Sequence, residues 1–193
     1  MRKIFFIFFA AILGYQANAQ KFDINLLDKI NSPINEKVDT RWQTISDLNA
    51  PICIGAPLTM LITGVIKKDK ELRIKSFETG ASILLTEIIT VSLKRTFKRD
   101  RPFITYPDII HRKAGGKGYS FPSGHTSSAF ATATSMSLSF PKWYVIVPSY
   151  AYACTIAFSR MYLGVHYPSD LLGGIVIGVG TSFLVFEARK WLK

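Results

Sequence analysis

At 193 residues the chain is long enough for one domain with one sizeable core. It carries 24 Lys and Arg against 13 Asp and Glu, a formal net charge of +11, yet 48% of it is hydrophobic and its mean hydropathy is positive. The basic excess points to anionic partners, and the apolarity argues against nucleic acid, whose binding modules are more polar; a membrane carrying anionic or phosphorylated lipid is the favoured partner.

The first element is residues 1–20, MRKIFFIFFAAILGYQANAQ. Arg2 and Lys3 precede an uncharged apolar run from Ile4 to Leu13, and Ala17-Asn18-Ala19 is a small-x-small site. This layout predicts a signal peptide over residues 1–19, cleaved after Ala19. The run is short beside the roughly 20 residues a membrane span needs, and an uncleaved anchor is the alternative. Over residues 20–49, apolar positions recur at roughly helical spacing in two groups, Phe22 to Ile30 and Val38 to Leu48, broken by Asn31-Ser32-Pro33. Two short amphipathic helices are expected, either along a membrane surface or packed on the rest of the chain.

From residue 50 to the end the pattern changes. Stretches 50–66, 126–140, 143–158 and 171–186 carry no charge, and a fifth, 76–93, carries only Glu78 and Glu87. Each is 15 to 18 residues long, at or just under the length of a membrane helix. An all-α bundle of about five transmembrane helices is therefore expected over residues 50–193, with both acids facing its interior. Gly174 and Gly178 form a GxxxG that permits close helix contact. Cys53 and Cys154 have no metal-like spacing and are expected to be buried and unpaired.

With an exported N-terminus, the five stretches would leave the basic segments 67–75 and 187–193 in the cytoplasm. Segments 94–125 and 159–170 would then share the outer face. Those two segments hold the reactive side chains: KRTFKRDRP from Lys94 to Pro102, PSGH from Pro122 to His125, and SRMYLGVHYPSD from Ser159 to Asp170. Together they suit phosphoryl transfer. Lys94, Arg101 and Arg160 bring fixed positive charge. Ser123 and Gly124 stand where a helix should begin, so free N–H groups would favour an anion there. Of the two histidines, one could attack phosphorus and the other could protonate the leaving oxygen. Asp170, four residues after His166, could orient that ring if the chain is helical there.

These three clusters resemble the signature of the type 2 phosphatidic acid phosphatase (PAP2) family, whose fold is shared with vanadium haloperoxidases and bacterial class A acid phosphatases. The pattern KxxxxxxRP, PSGH, SRxxxxxHxxxD is met by Lys94 with Arg101-Pro102, by Pro122 to His125, and by Ser159-Arg160, His166 and Asp170. The resemblance implies that His166 is the nucleophile that becomes phosphorylated, with Asp170 as its partner. It implies that His125 is the general acid, and that Lys94, Arg101, Ser123, Gly124 and Arg160 hold the phosphate. No metal or other cofactor is expected. The implied activity is hydrolysis of a lipid phosphate or diphosphate in a bacterial inner membrane, with the site facing the periplasm. Three alternatives stand beside it: a soluble periplasmic acid phosphatase of the same fold, vanadate-dependent halide oxidation, and a basic lipid-binding protein without catalysis. Lys98, Arg99, Arg112, Lys113 and Lys117 are read as ordinary basic surface, and His111 as a solvated loop residue.

Overall fold

Every one of the five apolar stretches folds as a single helix. The computed structural model describes residues 21–31 and 33–191, so the signal peptide expected over residues 1–19 lies outside the described residues. Among the described residues every regular element is helical: α1 over residues 21–30, α2 Glu36–Asp47, α3 Asn49–Ile66, α4 Lys70–Phe97, α5 Pro102–Thr105, α6 Gly124–Ser139, α7 Trp143–Tyr162 and α8 Pro168–Trp191.

Local chemistry sets the boundaries that matter for the site. Asp69 caps α4 by accepting from the Leu72 N–H at 3.0 Å. At the other end, Lys98 enters the left-handed region (φ 47°) and stops the helix. Pro102 and Pro168 open α5 and α8, where a missing N–H costs no helical hydrogen bond. Because the long helices alternate in direction, the end of α4, the start of α6, the end of α7 and the start of α8 lie together at one end of the bundle.

α6 is the central post. It packs most extensively on α8, then on α7 and α4, with α3 as a further neighbour. Every residue from Thr126 to Ser135 is buried. Its sequence, GHTSSAFATATSMSLS, is small and weakly polar on all sides, which suits a helix enclosed by others. Its backbone nearly touches α8: a Cβ at Gly178 would fall on the Ser127 carbonyl oxygen, and one at Gly174 would lie 2.9 Å from the Ser123 carbonyl oxygen. The GxxxG therefore does what its spacing predicts. Hydroxyls join the helices where apolar side chains would be too large, as in Thr86 with Thr181 at 2.6 Å and Ser135 with Ser182 at 3.1 Å.

The outside is apolar. Ile54, Ile62, Phe77, Leu84, Val176 and Leu184 are each more than half exposed, an arrangement that suits lipid and not water. Among the described residues three helical runs, Glu36–Ile66, Lys70–Thr105 and Pro168–Arg189, are long and apolar enough to cross a membrane. α6 and α7 are not among them. α6 is only 16 residues long and is shielded by its neighbours; α7 carries three tyrosines besides Tyr162, with Arg160 in its last turn. Glu78 faces inward, as expected, 3.2 Å from Arg189 of α8. Both cysteines are free, but Cys154 is exposed where a buried thiol was expected, because no helix among the described residues covers its side of α7.

The N-terminal helices pack on the bundle at the end where α4, α6, α7 and α8 meet. Leu27 is fully buried against Ile110 and Tyr167. Trp42 lies 5.1 Å from the Phe158 ring and 5.6 Å from that of Tyr162. Asn31 ties this layer down by donating to the Tyr162 and His111 carbonyls at 2.8 and 3.0 Å and accepting from the His111 N–H at 2.7 Å. Gly164 (φ 71°) lets the chain turn beneath it; a Cβ there would strike the His111 carbonyl.

Candidate active site

His166 sits in the turn between α7 and α8 and is 2% exposed. Pro168 starts α8 directly after this turn, so Asp170 in its first turn reaches back to the ring: Asp170 Oδ2 lies 3.4 Å from His166 Nδ1. The same oxygen accepts from the Tyr167 N–H at 2.9 Å and from the Ser120 hydroxyl. Asp170 Oδ1 takes the Arg99 guanidinium at 2.7 Å. With the Nδ1 proton directed at Asp170, Nε2 keeps its lone pair, and Arg101 Nη1 lies 3.3 Å from it.

Arg101 is 5% exposed and held almost entirely by backbone. Its Nε donates to the Gly118 carbonyl at 3.0 Å, Nη2 to that of Lys117 at 3.0 Å, and Nη1 to that of Val165 at 2.9 Å. Gly116 lies against the guanidinium: a Cβ there would come within 3.2 Å of its Cζ, so Arg101 would have to yield by a few tenths of an ångström. The Gly-rich loop thus fixes Arg101 so that one N–H faces His166 Nε2. Lys94, three residues from the end of α4, donates to the carbonyls of Tyr119 and Ser120 at 2.8 and 3.2 Å.

Opposite stands the start of α6. Ser123 is its N-cap, accepting from the Thr126 hydroxyl at 3.0 Å, while the Ser123 N–H donates to the Asp170 carbonyl at 3.0 Å. Gly124 and His125 form the first turn, where unpaired N–H groups and the helix dipole favour an anion. Arg160, from the last turn of α7, is 5% exposed; it donates to the Ser46 hydroxyl of α2, and its Nε is buried with no hydrogen-bond partner among the described residues. A buried, unpaired guanidinium donor beside a helix N-terminus is a site waiting for an anion.

Both imidazoles are held neutral. Burial pushes His166 down to about 3; Asp170 opposes this, while Arg101 and Arg160 add to it. Burial also lowers His125 to about 4, followed by the charges of Arg160, Arg101 and Lys94. The same two guanidiniums act on both rings, so the two histidines share one electrostatic environment. All eight sequence-predicted residues (Lys94, Arg101, Ser123, Gly124, His125, Arg160, His166 and Asp170) meet at this end of the bundle.

Four participants are absent from that set. Arg99, read from the sequence as ordinary surface, bridges Asp170 and Asp23 and stacks over the Tyr167 ring at 4.0 Å. Ser120 bonds the Asp170 carboxylate, and Asp23 and Ser46 come from the N-terminal helices. Arg99 had a signal, standing two positions before Arg101 in one turn, and Ser120 stands two residues before Pro122; Asp23 and Ser46 are lone residues on distant elements. Lys113 is likewise turned inward, 3.2 Å from Asp39 and over the Tyr162 ring.

A family model described as the PAP2 superfamily matches residues 76–193. Decaprenylphosphoryl-5-phosphoribose phosphatase of Mycobacterium tuberculosis is 33% identical over 135 residues, covering 69% of this chain and 71% of the relative. Lipid A 4'-phosphatase of Bacteroides thetaiotaomicron is 34% identical over 92 residues, 47% of this chain and 40% of the relative. Among solved structures, Aquifex aeolicus LpxE aligns with a TM-score of 0.72 at 26% identity, over 86% of this chain and 95% of that one.

Proposed function

The chain belongs to the PAP2 superfamily, and from that membership and the geometry of its site we propose that it is an integral membrane phosphatase that hydrolyses a lipid phosphate or diphosphate through a phosphohistidine. One observation carries this reading. The buried His166 ring is tied at Nδ1 to Asp170, and its Nε2 faces the fixed guanidinium of Arg101.

In the first step His166 Nε2 attacks phosphorus. An N–P bond forms and the P–O bond to the lipid breaks, with protonated His125 giving its proton to the departing oxygen. The imidazole gains positive charge as it is phosphorylated, and Asp170 offsets that charge across Nδ1. Arg101, Arg160, Lys94 and the α6 N-terminus hold the phosphoryl oxygens. In the second step His125, now neutral, takes a proton from water, the hydroxide attacks phosphorus, and the N–P bond breaks to release inorganic phosphate. An arriving phosphate brings the negative charge that lets His125 take up its proton despite the cations around it.

The substrate class follows from position. The site lies at helix ends while an apolar belt keeps the bundle in lipid, which suits a head group presented at the membrane surface and disfavours the soluble periplasmic alternative. Relatives named for lipid-linked phosphates support the same class. Undecaprenyl diphosphate, phosphatidylglycerol phosphate, phosphatidic acid and lipid A phosphates are the candidates. Both ends of the bundle are basic, at 67–70 and over 94–125, so the inner-membrane orientation with the site on the periplasmic face rests on the signal-peptide layout of residues 1–19.

Phosphate release by detergent-purified protein from that lipid panel and from one water-soluble ester tests the proposal. Wild-type protein releases phosphate from at least one lipid and is inhibited by vanadate. His166→Ala abolishes release and acid-labile labelling of the protein; an active His166→Ala would overturn the assignment.

A further inference from the structure

Residues 21–47 lie wholly outside the segment matched by the family model, yet α1 sends a buried carboxylate into the catalytic end. Asp23 is 4% exposed. Its Oδ2 accepts from Arg99 Nη2 at 2.9 Å and from the Ser169 hydroxyl, and its Oδ1 accepts from the Ser169 N–H at 2.9 Å. The other guanidinium nitrogen, Arg99 Nη1, binds Asp170 Oδ1 at 2.7 Å and the Ser169 hydroxyl at 2.7 Å. Below, the Tyr167 ring supports the guanidinium at 4.0 Å.

We propose that Asp23 is a positioning residue for phosphoryl transfer, acting through Arg99 to fix and charge-balance Asp170 behind His166; this rests on the phosphohistidine reading above. Two physical effects support it. The first is geometric. A guanidinium gripped by one carboxylate can pivot on its long side chain, whereas one gripped by two buried carboxylates and a ring cannot. Asp170 Oδ1 is thereby fixed, which leaves Oδ2 to meet Nδ1, the Tyr167 N–H and Ser120. The second effect is charge. Arg99 alone would cancel the charge of Asp170 and leave little to stabilise the imidazole as it is phosphorylated. With Asp23 present the Asp23–Arg99–Asp170 group keeps one net negative charge, which lies where positive charge develops during attack.

The test uses full-length protein in detergent with the best lipid substrate from the panel. Asp23→Asn lowers kcat by about 10- to 100-fold, the usual range for losing a group that orients a catalytic ligand, with KM unchanged. Asp23→Glu recovers most of the loss. In an Arg99→Ala background, Asp23→Asn has no further effect, because the route to Asp170 is already cut. Asp23→Ser serves for the same comparison if Asp23→Asn is recovered unfolded. Wild-type kcat in the folded Asn or Ser variant, or an undiminished loss in the Arg99→Ala background, overturns the inference while the phosphatase reading stands. A wild-type protein inactive on the whole panel removes both.

Discussion

At the scale of single residues, the site is a set of cations fixed by backbone and neighbouring hydroxyls before any ligand arrives. Arg160 is the clearest case, because a buried Nε with no partner among the described residues gains the most from an anion. Arg160→Ala should weaken kcat/KM by about 2–4 kcal/mol, the range for one preorganised charge contact. Ser46→Ala, which frees the same guanidinium to move, should give a smaller loss of the same sign; steady-state kinetics on both variants checks the order. The two histidines set a pH dependence. In the unfolded chain both titrate near about 6.5; in the fold burial holds His125 at about 4 and His166 at about 3. Between those values the unfolded chain binds more protons, so stability is full above about pH 6.5 and falls as the pH drops toward 4. Thermal unfolding in detergent between about pH 7 and pH 5 should show the melting temperature falling with acid, and less steeply in His125→Gln. The residues proposed to react were legible in the sequence because the proposed chemistry demands fixed types at fixed spacings. Asp23 and Ser46 were not, since what gives each its place is a tertiary contact from a separate element, which no spacing encodes.

At the scale of helices, hydropathy located all five apolar stretches but not the role of each. A small, hydroxyl-rich stretch such as 126–140 reads like a weak membrane span, and only packing distinguishes a helix in lipid from one enclosed by protein. The signal that did carry through was GxxxG, since it specifies close approach and not merely apolarity. Gly178→Val tests that directly. Its side chain would enter the space of the Ser127 carbonyl, between backbones that cannot both give way, and should cost about 1–3 kcal/mol or more. A lowered melting temperature with reduced phosphate release is the expected outcome, whereas Gly180→Ala, with nothing within 4 Å of its Cβ, should leave both unchanged. The N-terminal helices were legible as amphipathic segments, but their docking on the site depends on the Asn31 clamp and on Leu27, which alternation of polar and apolar residues does not reveal.

For the whole molecule, the apolar belt and the proposed export of the N-terminus make two expectations concrete. The protein should require detergent for extraction and should not be released by osmotic shock. A cysteine replacing Lys68 in a background lacking Cys53 and Cys154 should react with an impermeant maleimide only after the membrane is opened, whereas one replacing Lys117 should react in intact spheroplasts. The opposite pattern would reverse the proposed orientation. The seam between α6 and α8 also bears on how such a protein works in membranes of differing thickness. The Ser123 N–H is bonded to the Asp170 carbonyl and two glycines bring the backbones into contact, so the α6 N-terminus and the carboxylate behind His166 ride on one stiff beam. Bilayer mismatch is then met by this pair tilting as one body, which keeps Asp170 in register with the α6 N-terminus.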